Sequence, residues 1–162
     1  MEDQCQENGC PETIEGLMLH ELSHIHLRQA LGNRKYLSNI PFWFSEGLAT
    51  LVSGGAGAGM TTAANEIKSI KTGSHLIPEH TGSIFRKGKV SGDLRSGSFR
   101  YYRQSQMFVK YLRDLDPVGF QNTLTELRNG QNFQTTIESN YDSSVIDHWE
   151  AFVDDFKVDG ST

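Results

Sequence analysis

Leu17-Met18-Leu19-His20-Glu21-Leu22-Ser23-His24-Ile25 is the stretch on which the fold and the chemistry of this chain turn. It lies inside a run from Pro11 to Leu31 whose one internal breaker is Gly16, with Pro11 suited to a first helical turn and Gly32 placed to end it, which predicts one long helix. Four positions advance a helix by one turn plus ~40°, so His20 and His24 fall on the same face, one above the other. Two imidazoles so placed can share one metal ion. Glu21 is rotated ~100° from His20, beside such an ion rather than on it, where its carboxylate can take a proton from water. Met18, Leu22 and Ile25 carry no charge, and the expectation is a helix buried against a core.

A catalytic zinc site takes three protein ligands and leaves one position open. A third histidine six positions beyond His24, with glycine between, is excluded because the relevant positions are Leu27 and Ala30. Pro41-Phe42-Trp43-Phe44-Ser45-Glu46-Gly47-Leu48-Ala49 offers a carboxylate instead, on a second short helix expected from Pro41 to Val52. Two helices joined by a loop can pack side by side and carry Glu46 to His20 and His24, giving a His, His, Glu donor set.

Together the two segments resemble the gluzincin metallopeptidases, the group that includes thermolysin and the zinc aminopeptidases. The resemblance rests on His20-Glu21-Leu22-Ser23-His24 and on Trp43-Phe44-Ser45-Glu46-Gly47-Leu48-Ala49. Tyr102-Arg103-Gln104-Ser105 and Phe108-Val109-Lys110-Tyr111-Leu112 add a likeness to the helix that follows in small bacterial gluzincin-like domains. It spans roughly residues 15 to 115 and implies a zincin-like helical catalytic domain. It further implies Zn2+ held by His20, His24 and Glu46, with Glu21 as general base in the hydrolysis of a peptide or protein substrate. Tyr102, with Tyr101 behind it, is by the same resemblance the candidate donor to the oxyanion. Tyr101 also stands on an apolar stripe, which reads as core.

Three departures accompany the likeness. Thr50 stands where some relatives place a carboxylate behind a zinc-bound histidine, and the acidic motif that anchors a substrate amine in the aminopeptidases has no counterpart. Relatives also carry a substrate-binding edge strand upstream of the active helix. The residues available for it here are Met1 to Cys10, read as an N-terminal segment with a truncated strand. The alternative function is therefore a non-catalytic zinc-binding structural or interaction domain derived from a gluzincin.

Working outward, Ser53 to Gly59 reads as a flexible glycine-rich loop and Thr61 to Lys71 as a weak helix. Residues 72 to 97 read as a long irregular loop. The glycines near 55 are no dinucleotide fingerprint, since Met60 occupies the third position and no βαβ pattern surrounds them. Tyr101, Phe108, Leu112 and Leu115 share one face of a helix capped by Ser98 and running to about Asp114. Asp116 and Pro117 open another through Leu127, and Ile146, Trp149, Val153 and Phe156 stripe a last helix from about Ser144. The fold expected is mainly α with little or no sheet, a single domain over residues 11 to 162.

The chain has 162 residues with 15 Lys and Arg against 20 Asp and Glu, a net charge of −5, which argues against nucleic acid as the partner. No apolar run reaches the ~20 residues of a membrane span, and Met1-Glu2-Asp3-Gln4 lacks the pattern of a signal peptide. Cys5 and Cys10 can close a small disulfide loop, which leans the localisation towards an extracytoplasmic or secreted compartment; the other reading is two unrelated thiols. His26 is ~200° from His24 and reads as surface. His75 and His80 read as loop histidines, and Arg86, Lys87, Lys89, Arg95, Arg100 and Arg103 as a solvated basic face.

Overall fold

The computed structural model describes residues 13–79 and 88–158. Cys5, Cys10, Pro11, His80, Arg86 and Lys87 lie outside the described residues, and so does the N-terminal strand expectation. Eight helices run through the described residues: α1 Ile14–Leu31, α2 Asn33–Asn39, α3 Phe42–Val52, α4 Ala63–Lys71, α5 Phe99–Leu115, α6 Pro117–Arg128, α7 Phe133–Tyr141 and α8 Val145–Val158. Two-residue strands β1 (Leu76–Ile77) and β2 (Lys89–Val90) pair antiparallel, Leu76 opposite Val90, inside the stretch expected to be irregular. The fold is mainly α, as the sequence pattern requires.

Local chemistry sets the helix starts. Thr13, Thr62, Ser98, Asp116 and Asn132 each accept a hydrogen bond from a first-turn backbone N–H, relieving donors that have no partner within the helix. Pro117 occupies the first turn of α6, where its missing N–H costs nothing.

The centre of the core is the contact of α3 with α5. Gly47 makes it possible: a Cβ there would stand 2.5 Å from the Ser105 carbonyl oxygen, so only glycine lets the two backbones approach so closely. Around this crossing Trp43 packs on Phe108 at 5.1 Å, Phe44 on Phe133 at 4.9 Å and Phe108 on Trp149 at 5.0 Å, in tilted and edge-on arrangements. Trp149 and Phe152 are core, and Tyr101, Phe108 and Leu112 are fully buried, whereas Leu115 at the end of their stripe is half exposed.

Helix α1 departs from expectation. Its buried residues are His20, Leu27 and Leu31, while Met18, Leu22 and Ile25 are each more than half exposed and Ile14 more so. At 100° per residue, Met18, Leu22 and Ile25 stand roughly 140–200° around the helix from His20. Helix α1 turns its histidine face to α3, so the uncharged stripe is left on the outside. Apolar composition announced a buried face but not which one.

Candidate metal centre

The site grows from the packing of α1 on α3. His20 and His24, one turn apart on α1, aim their Nε2 atoms at the same point, 3.2 Å from each other. Glu46, on the second turn of α3, brings Oε2 to 3.4 Å from His20 Nε2 and 3.6 Å from His24 Nε2. Donors arranged tetrahedrally at the usual zinc bond lengths stand about 3.3 Å apart. The three donor atoms are therefore close enough together to hold one divalent metal ion.

The far side of each imidazole is occupied. His20 Nδ1 donates to the Ala56 carbonyl at 3.0 Å, so the neutral ring carries its lone pair on Nε2, facing the cluster, and the protonated ring donates Nε2–H to Glu46. His24 Nδ1 lies 3.1 Å from Ser45 Oγ and 3.3 Å from the Tyr36 hydroxyl, and those two hydroxyls are 3.1 Å apart. Partners of this kind fix ring orientation around metal-binding histidines. Of the three, Ser45 adjoins Glu46 in the segment already singled out. Tyr36 comes from α2, a helix the sequence did not announce, and Ala56 contributes only a backbone carbonyl.

Electrostatics bind the cluster further. Burial lowers the proton affinity of His20, but the hydrogen bond and charge of Glu46, the Ala56 carbonyl and the charge of Glu21 outweigh it and hold its pKa above the ordinary 6.5. Burial likewise pushes Glu46 upward, and its hydrogen bonds to His20 and His24 prevail, holding it below the ordinary carboxyl value.

No protein family matches the chain, and no curated protein or solved structure does so either.

Glu21 is exposed on α1 beside His20, its charge felt by both His20 and Tyr102, and it lines a shallow groove with Ile14, Met18, Leu22 and Ile25. The Tyr102 ring centre lies 6.2 Å from that of His20. Burial, with the charges of Glu46 and Glu21, pushes its hydroxyl up to about 12, so it remains a proton donor at neutral pH. Tyr101 is fully buried and belongs to the core. Thr50, one turn beyond Glu46, is buried with no hydrogen-bond partner for its hydroxyl.

The remaining candidates stand apart. His26 is exposed, and His75 donates Nδ1–H to the Leu76 carbonyl and packs near Trp149. The basic residues are not uniformly solvated: Arg100 pairs with the buried Glu66, which also accepts from Thr61 and Gln104, and Arg103 reaches into the glycine-rich loop. That loop is packed rather than free, with Gly55, Ala56, Ala58 and Gly59 buried. Gly57 has φ +86°, and a Cβ there would lie 2.9 Å from His20 Cε1, so the loop backbone seats directly on the imidazole.

Proposed function

We propose that the chain is a zinc-dependent metallopeptidase of gluzincin type, acting on peptide or protein substrates. The observation that carries the reading is the meeting of two imidazole Nε2 atoms and one carboxylate oxygen at 3.2 to 3.6 Å, with the other nitrogen of each ring already engaged.

His20, His24 and Glu46 would hold the ion. Zinc bound there supplies a Lewis acid that polarises a peptide carbonyl and acidifies water towards a pKa of ~7. Glu21, exposed at the margin of the cluster, takes the proton of the attacking water on its carboxylate and delivers it to the leaving nitrogen. Tyr102 keeps its proton at neutral pH and donates a hydrogen bond to the oxygen on which negative charge develops. The Ala56 carbonyl and the Tyr36–Ser45 pair hold the two rings in place throughout.

Chelator-sensitive cleavage of a mixed peptide library tests the assignment. Glu21→Gln retains zinc and loses roughly a hundredfold to ten-thousandfold in rate, the usual range for a removed general base. Undiminished turnover in that variant removes Glu21 as the base. Zinc binding by the unaltered chain without any cleavage favours the non-catalytic zinc-binding domain instead.

A further inference from the structure

Arg103 follows Tyr102 on α5, and its guanidinium is spread across the loop that carries Ala56. Nη2 donates to the Ala58 carbonyl at 3.1 Å and Nε to the Thr61 carbonyl at 3.3 Å. Nη1 is anchored in turn on Gln106 Oε1 at 2.6 Å. The guanidinium also lies against Gly55: a Cβ at that position, where φ is +107°, would stand 3.2 Å from Nη1 and 3.3 Å from Nη2. Contacts at 55, 58 and 61 straddle Ala56 and Gly57, residues of this loop that lie against the His20 ring.

Four of the seven residues from Ser53 to Gly59 are glycine, so the loop has little stiffness of its own. A planar fork reaching two carbonyls at once supplies the missing constraint, and lysine, a point charge on a flexible stem, cannot reproduce it. We infer that Arg103 is a positioning residue of the metal centre: it clamps the 55–61 loop so that the Ala56 carbonyl stays opposite His20 Nδ1. This rests on the reading of His20 as a zinc ligand for its functional meaning, though not for its geometry.

The experiment uses the full chain, with Arg103→Gln and Arg103→Lys, and two readouts. The first is 1H–15N spectroscopy of the histidine rings in chelator-treated protein. In the unaltered chain His20 shows a protected Nδ1–H; in both variants that signal is lost or shifts, while the His24 ring, held by Ser45 and Tyr36, is unchanged. The second is zinc affinity by competition with a chromophoric chelator, expected to weaken about tenfold in each variant, the low end of what loss of a ligand's supporting contact costs. An unchanged His20 ring in either variant overturns the inference. So does equal disturbance of His20 and His24, or failure of both variants to fold, since either assigns Arg103 a general structural role. If the unaltered chain binds no zinc, the metal reading fails, and the ring spectra still decide the clamp.

Discussion

Helices α1 and α3 both contribute to the proposed metal centre, yet they are held in opposite ways. Helix α3 is secured by its side chains: Trp43 and Phe44 are buried in an aromatic cluster and Gly47 lies against α5. Helix α1 buries His20, Leu27 and Leu31 and leaves Ile14, Met18, Leu22 and Ile25 outside. The contrast teaches that α3 and α5 form the scaffold, with α1 docked on it through Leu27 and Leu31 at one end and the polar cluster in its middle. An ion bridging His20 and His24 to Glu46 would tie the weakly held helix to the strongly held one.

The comparison breaks most sharply with core truncation. Phe44→Ala on α3 should cost about 3–5 kcal/mol, the range for deleting a buried aromatic ring, read as a large fall in the unfolding midpoint. A loss of under about 1 kcal/mol would mean that the α3–α5 crossing is not the scaffold.

The pH dependence of unfolding sharpens it next. In chelator-treated protein His20 has a folded pKa above its unfolded value, so its contribution is complete below about pH 6.5 and is lost as pH rises through the folded value. Glu46 has a lowered folded pKa, so its contribution is present above the ordinary carboxyl value and is lost as pH falls through the folded one. The metal-free pair is thus most favourable on the mildly acidic side of neutrality. Zinc requires the imidazoles deprotonated, so its stabilising effect grows as pH rises. Melting curves with chelator and with zinc should diverge between about pH 6 and pH 8; parallel curves would deny that the histidines bind the ion.

The smallest effect is expected on the outer face of α1. Met18→Ser or Ile25→Ser should change stability by no more than about 0.5 kcal/mol, as for surface positions generally. A cost of 2 kcal/mol or more, of the size found at buried sites, would show this face to be covered in solution.

These contrasts also show what was legible in the sequence. Breakers and caps located α1, α3 and α6, apolar stripes located α5 and α8, and the weak helix read over Thr61 to Lys71 is α4, because each signal follows directly from helix geometry. Helices α2 and α7 escaped, since Asn33–Asn39 buries Tyr36 alone and Phe133–Tyr141 is mostly polar. That His20, His24 and Glu46 come together was legible because helical spacing places two of them on one face and a second expected helix carries the third. Their supports were not: Tyr36 arrives on an unannounced helix, and Ala56 acts through a carbonyl that every residue possesses. Nor could uncharged residues on α1 say which face was buried, a matter settled by the neighbour and not by the helix.

Zinc titration of the chelator-treated chain by calorimetry tests the central claim most directly. The account predicts one saturable site per chain, abolished or greatly weakened by His24→Ala and by Glu46→Ala, variants that alter α1 and α3 separately. No saturable binding, or binding that survives both substitutions, would contradict it.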